Sequence, residues 1–472
     1  MTVTPAAQQA PQAAPKAPGR TTETVLIVAA LVVVTGALII VQMAQSKDVT
    51  WGIAKYVAVY AALMLAAHLM IRRFAPHADP LMLPAVAALN GLGLVMIHRL
   101  FLGGDGATGL CTPQSADRQL IWTGLGVAAF AVTLFFIRDH KTLSRYAYTL
   151  GIGGLIFLAL PAVLPASLSS EGGSKIWIKT PLFSIQPGEF AKILIIIFTA
   201  SFLVSRRDLF TTAGKHFAGM DLPRLRDLGP LIAAWAIALA VLVFETDLGT
   251  SLLIFATALT MLYVATERVS WLLLGVIGFV IAAVFAYLTS AHLQERVQAW
   301  LDPFAAWETG SQQLGQSLFG LATGGLFGTG LGSGRPNMVP CADTDFILTS
   351  FGEELGLFGL TAITVLYLVL IIRGLRTAVT VRDSFGKLLA AGLAFTIAIQ
   401  LFVVFGGVSK LIPLTGLTSP FLSYGGSSLL ANYILLALLI RISNAAREPD
   451  APKPVRRPEG VGGMPTQVVP RQ

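Results

Sequence analysis

The sequence predicts an all-α polytopic membrane protein with about twelve transmembrane helices, and three observations carry that prediction. The 472 residues are 54% hydrophobic and only 12% charged, about half the charged fraction of an ordinary soluble domain. Many apolar runs are about 17 to 25 residues long, enough to cross a bilayer as helices that satisfy their own backbone. Lys and Arg recur in alternate connections, as topology requires when positive residues stay inside. A net charge of +8 would suggest nucleic acid in a soluble domain. Here it marks orientation, and no nucleic-acid partner is expected.

The expected helices lie at 23–44, 51–72, 80–101, 119–137, 146–167, 188–205, 229–245, 249–266, 269–290, 347–372, 386–406 and 425–443. The first follows a tail rich in Ala, Pro and Gln and reads as an uncleaved anchor. Residues 1–22 and 446–472 read as disordered cytoplasmic tails around a transmembrane domain at 23–445. An even helix count puts both tails on one side. If that side is cytoplasmic, the inner segments hold 23 of the 33 Lys and Arg residues, and every inner connection carries at least one. The expected location is a cytoplasmic membrane, with both termini inside.

This topology sends three unusual stretches outward: Leu168–Pro187, the long loop at about 291–346, and Gly407–Gly426. The long loop exceeds what a connector needs. Its Gly-rich piece Gln316–Gly334 is too short to span, so it lies on the surface or re-enters.

Several polar groups gather on that outer side. Glu189 and Lys192 are three residues apart at a helix start, on one face, after Pro187 at the first turn. They read as a buried pair lining a cavity or as an ion pair anchoring the helix end. Glu245 and Asp247 flank a helix-to-helix turn, where Asp247 can equally cap the following helix. Arg296, Asp302 and Glu308 lie among Trp300, Phe304 and Trp307, an interfacial pattern. A carboxylate there is a general base for a hydroxyl or the first residue of an Asp-Pro turn. Asp343, Asp345, Glu353 and Glu354 at a helix entrance favour the helix dipole or hold a divalent cation such as Mg2+ or Mn2+ near a pyrophosphate. Pro413–Ser428 offers hydroxyls and backbone N–H groups to an anion, or is a rigid connector. Cys111 and Cys341, both on the outer side, are a disulfide or two free thiols. No Cys/His spacing suggests zinc.

Four of these stretches, in order, resemble the SEDS family of FtsW, RodA and SpoVE. They are Lys175-Ile-Trp177-Ile with Gln186-Pro-Gly-Glu-Phe-Ala-Lys192, Asp247-Leu-Gly-Thr250, Asp345-Phe-Ile with Gly352-Glu-Glu-Leu-Gly356, and Pro413–Ser428 with Asn432. The resemblance covers about residues 170–445. The extra N-terminal pair at about 23–72 is similar to the longer RodA-like forms of some actinobacteria. The resemblance implies a peptidoglycan glycosyltransferase that polymerises lipid II at the outer face of the membrane during wall growth, shape maintenance or division, beside a class B penicillin-binding protein. It implies substrate contacts at Lys175, Trp177, Gln186, Glu189, Lys192, Asp247, Asp345, Ser423, Tyr424, Gly425 and Ser427.

One departure falls on the catalytic base. The family's usual loop Asp aligns with Ala306, and Gln312 stands where Tyr is expected. The nearest acids are Asp302, the first choice of base, and Glu308, the second. Gly188 also replaces a commoner Ser or Ala. Two rivals from other classes are a lipid II flippase, which needs polar groups along a whole path, and a non-catalytic scaffold for a penicillin-binding protein.

Overall fold

The computed structural model describes residues 20–48, 51–104, 113–171, 174–180, 184–206, 214–217, 220–223, 225–244, 247–304 and 312–449. Among these described residues, fourteen helices of eleven residues or more form the architecture. They are α1 Thr21–Ala44, α2 Trp51–Phe74, α3 Met82–Leu102, α4 Ala116–Phe136, α5 Ala147–Val163, α6 Pro187–Ser205 and α7 Leu225–Phe244. The rest are α8 Leu248–Thr266, α9 Val269–Thr289, α10 Ala291–Leu301, α11 Gln312–Gly324, α12 Ile347–Thr380, α13 Ser384–Val408 and α14 Gly426–Arg447. Three two-stranded antiparallel hairpins join them: Ser170–Glu171 with Ser174–Lys175, Ile178–Lys179 with Ser184–Ile185, and Gly214–Phe217 with Met220–Pro223.

All twelve expected helices are present. Ten are long and apolar enough to cross a membrane, while α5 and the apolar stretch Ile232–Val241 within α7 are shorter. The protein is a multi-pass helical membrane protein. Helix α12 runs past its expected end at 372 and stays helical to Thr380. Within the added turns, Thr377 Oγ1 donates back to Arg373 O at 2.9 Å.

The described residues of the long loop are largely structured. Helix α10 follows α9 after Ser290, whose hydroxyl caps it by accepting from Leu293 N. Helix α11 lies against α12. Its Ser317 Oγ is 2.6 Å from Thr349 Oγ1 and donates to Val408 O at 3.1 Å. The chain then folds through Gly325–Gly334 over α12, where Thr329 N and Gly330 N donate to the carbonyls of Glu353 and Glu354. Two glycines make this possible. Gly356 adopts φ 66° and breaks the helical path of α12. Gly328 adopts φ 81°, and a Cβ there would stand 2.2 Å from Glu354 O, too close for any side chain.

Two polar networks hold the bundle at opposite ends. At the end that carries the chain tails, Asp79 is buried and paired with Arg373 and Arg447, and Arg441 donates to Phe74 O and Leu134 O. At the other end, Arg99 Nε meets Glu354 at 2.8 Å and Arg99 Nη2 donates to Gly334 O at 2.8 Å. The added pair α1–α2 is bound at both ends: Arg20 and His68 meet the buried Glu23, and Gln45 Nε2 donates to Gly332 O at 2.6 Å. Cys341 is disulfide-bonded. Cys111, the other cysteine, lies outside the described residues, as do Glu245, Ala306, Glu308 and most of both tails.

Candidate functional site

The site is built where α6, α8, α13 and the Pro413–Ser428 segment converge, at the end opposite the tails. Pro187 opens α6 because it supplies the helical φ and lacks only an N–H that no helix start needs. The first turn then carries Glu189, and Lys192 follows on the same face. Both are buried, at 4% and 1% exposed, with Lys192 Nζ 2.6 Å from Glu189 Oε2. Lys192 also donates to Gln400 Oε1 of α13 at 3.2 Å, and Gln400 Nε2 donates to Thr418 O at 2.8 Å. A charged pair this deep persists only with such extra partners, since desolvating both ions costs several kcal/mol each.

Gln186 links this pair outward. Its backbone N donates to Ser427 Oγ at 2.9 Å, and its Nε2 reaches Asp247 Oδ2 at 3.4 Å. Asp247 caps α8 by accepting from Thr250 N at 2.9 Å. Capping uses one oxygen and leaves the other toward Gln186, so the cap does not exhaust the carboxylate. Burial raises the Asp247 carboxyl, the Thr250 N–H opposes that, and the Glu189 charge adds to it.

Arg296 of α10 donates to Leu414 O at 3.4 Å, and Trp300 Nε1 donates to Lys410 O at 3.0 Å. These bonds dock α10 on the Pro413–Ser428 segment. Burial weakens the Arg296 guanidinium, while Asp247 and Asp345 both act on it electrostatically. Two carboxylates from different elements therefore favour its charged form. Asp345 is pushed up to about 6, mainly by burial and further by Asp343, with Arg296 opposing. Its Oδ2 lies 3.8 Å from where a Cβ on Gly416 would stand.

The Ser- and Gly-rich segment is fixed by its own hydroxyls. Ser423 Oγ donates to Thr344 O at 2.6 Å and accepts from Ser419 N at 2.9 Å, while Tyr424 N donates to Asp343 O at 2.8 Å. Thr418 Oγ1 donates to Ser428 Oγ at 2.9 Å, and Asn432 Nδ2 reaches the same oxygen at 3.2 Å. Gly425 precedes α14 at the position before its first residue. Ser423 and Tyr424 thus hold the segment to the Asp343–Asp345 turn, and Ser427 holds it to Gln186.

Other expected residues are placed elsewhere. Lys175 is exposed on the first hairpin, paired with Ser170, and Trp177 is half-buried with its N donating to Ser169 O. Asp302 ends α10, exposed, and its Oδ1 accepts from Phe304 N at 3.1 Å, the geometry of an Asp-Pro turn. Glu308 lies outside the described residues.

The cation reading of the four acids does not fit the residues. Glu354 is taken by Arg99 and by Gly332 N, Glu353 accepts from Arg335 N at 2.6 Å, and Asp343 accepts from Gln114 N at 3.1 Å. Among the described residues, no group of three or more His, Cys, Asp or Glu could hold a metal ion. Sequence reasoning misses two partners. Gln400 and Arg99 are both buried polar groups in apolar helices, and that alone marks a residue with a specific partner.

Comparison with known proteins places the chain. The family model described as cell cycle protein, covering FtsW, RodA and SpoVE, matches residues 80–448. The chain is 56% identical over 452 residues to the peptidoglycan glycosyltransferase RodA of Mycobacterium tuberculosis strain H37Rv, covering 96% of each. It is 56% identical over 435 residues to the same-named protein of Mycobacterium leprae, covering 92% of each. A solved chain from a peptidoglycan synthase complex that coordinates polymerisation and crosslinking has the same fold, with TM-score 0.63 at 24% identity, over 79% of this chain and 99% of that one.

Proposed function

As the chain belongs to the cell cycle protein family of FtsW, RodA and SpoVE and is a peptidoglycan glycosyltransferase, we propose that it polymerises lipid II at the outer face of a cytoplasmic membrane. Both termini are then cytoplasmic, residues 1–22 and 446–472 are tails, and 23–445 is the transmembrane domain. An acceptor sugar hydroxyl attacks the anomeric carbon of a lipid-linked donor, and the lipid pyrophosphate leaves.

The observation that carries this reading is that the buried Lys192–Glu189 pair, the Gln186–Asp247 contact and Arg296, whose charged form Asp247 and Asp345 both favour, gather at one end of the bundle. Arg296 supplies positive charge where the pyrophosphate oxygens gather charge in the transition state, and the buried Lys192–Glu189 pair builds the substrate wall behind it. Asp247 and Asp345 favour the charged form of Arg296, which the Leu414 carbonyl anchors, and Gln186 and Ser427 orient the substrate. Ser423, Tyr424 and Gly425 shape the wall beside it. Lys175 and Trp177, on the outer hairpin, meet the sugar-peptide portion outside the bilayer.

The base is Asp302, with Glu308 as its alternate. Asp302 sits at the end of the helix that carries Arg296, so base and cation move as one unit. A class B penicillin-binding protein receives the glycan product. The test is polymerisation of lipid II by the purified complex, with wild type set against D302A, E308A and the double variant. Glycan strands from wild type and none from the double variant are expected. Full activity in the double variant removes the base assignment. Lipid II flipping without any polymerisation by wild type removes the transferase reading.

A further inference from the structure

At the end of the bundle that carries the tails, a cavity of about 240 Å³ opens between the start of α1, the α2–α3 turn and the end of α14. Its walls include Arg20, Thr22, His77 and Arg447, with Pro76 and Pro80. It lies far from the polar cluster described above, which occupies the opposite ends of α12 and α14.

The charge around it is unbalanced. Two buried acids, Glu23 and Asp79, face three arginines: Arg20 pairs with Glu23, and Arg373 and Arg447 share Asp79. Glu23 is further engaged by His68 Nδ1 at 2.7 Å. Glu448 follows Arg447 but is exposed. Arg20 is more than nine-tenths buried, its Nη1 donates to the carbonyls of Pro76 and Ala78, and its Nε has no partner. That Nε is closed off from the cavity, so Arg20 contributes positive charge to its wall rather than a free donor. Thr22 and His77 add a hydroxyl and an imidazole to the walls, and because one acid is shared by two arginines the paired groups still leave one positive charge in excess.

The surroundings identify the class of anion. The cavity sits where the apolar parts of α1 and α3 begin. From its rim, Val25, Val28 and Val32 run along α1 at 65%, 53% and 65% exposed, a continuous apolar strip leading into the bilayer. Basic pockets between transmembrane helices at this depth suit phosphate headgroups. The volume falls below the ~300 Å³ lower end for drug-sized ligands, so the cavity takes a small group.

We propose that this cavity binds the phosphodiester headgroup of an anionic phospholipid, with its acyl chains along the Val25–Val32 strip. The bound lipid then ties the added helix pair α1–α2 to α14.

The test uses the full chain purified in neutral detergent and delipidated. Bound phosphatidylglycerol and phosphatidylcholine are counted by native mass spectrometry during titration. Wild type retains one phosphatidylglycerol in preference to phosphatidylcholine. The variant H77A/R447Q, whose new amide can still donate to Asp79, binds it about fivefold to tenfold more weakly. A second variant, T22E, places a carboxylate at the rim and weakens it similarly while leaving the buried pairs intact. Equal retention of the two lipids, or unchanged affinity in both variants, overturns the proposal. Binding of inorganic phosphate with no retained lipid makes this a free-anion site and overturns the lipid assignment.

Discussion

Lys192 Nζ donates to Gln400 Oε1 at 3.2 Å, and through Gln400 the buried cation of α6 is tied to the Thr418 carbonyl. Replacing Gln400 by Leu removes both bonds and leaves Lys192 with Glu189 alone. The expected outcome is a large loss of polymerising activity and coupling between Q400L and K192M in a double-mutant cycle on unfolding. Removing Lys192 alone should cost about 3–5 kcal/mol, because Glu189 stays buried without its partner. Additive effects of the two substitutions would show that the contact carries no energy.

Asp345 gives a pH signature with a defined sign. Its folded value of about 6 lies above its ordinary 3.8, so the folded state holds the proton more tightly than the unfolded chain. The stabilising contribution is therefore complete below about 4, fades as pH rises through 6, and is absent above that. Wild-type thermal stability should fall from about pH 4 to about 6.5 relative to D345N, which has no such proton. Parallel curves for the two proteins would contradict the raised value.

The Asp302 assignment predicts a loss of about 10²- to 10⁴-fold in polymerisation for D302N, the range for a positioned general base. Thermal stability should change little, since the side chain is exposed. A wild-type rate in D302N with a collapsed rate in E308Q would transfer the role to Glu308.

Arg99 and Glu354 form another buried pair. R99M should destabilise the fold by about 3–5 kcal/mol, and R99M/E354M by much less than the sum of the single changes. Denaturation of all three variants in detergent reads this directly.

The helices are legible in the sequence because each is a long apolar run, and the positive residues between them set their alternation. The segments that surprise lie in the long loop, where apolar content is low and two glycines with positive φ let the chain fold back on α12. Glu189, Lys192, Gln186 and Asp247 stand out as a group because polar and ionisable residues are conspicuous in apolar surroundings. Gln400 does not, because an uncharged amide within a long hydrophobic helix looks like ordinary variation. The four acids at 343–354 illustrate the opposite error. Counted along the chain they suggest one cluster, but the kink at Gly356 and the fold-back of Gly325–Gly334 commit Glu353 and Glu354 to structural bonds. Arg296 reads from the sequence only as a neighbour of Asp302, since nothing local reveals that α10 docks on residues more than a hundred positions later.

The bond from Gln45 to the Gly332 carbonyl spans 287 residues, and that from Arg441 to the Phe74 carbonyl spans 367. Some polar groups of the first helices therefore find their partners only when much later segments are made. Until then Glu23 can be satisfied by nearby Arg20 and His68, whereas Asp79 must await Arg373 and Arg447. A protein stalled or truncated before α14 would keep Asp79 paired with Arg373 but lose Arg447 and the Arg441 bonds, so the end of the bundle that carries the tails is completed only when the chain is.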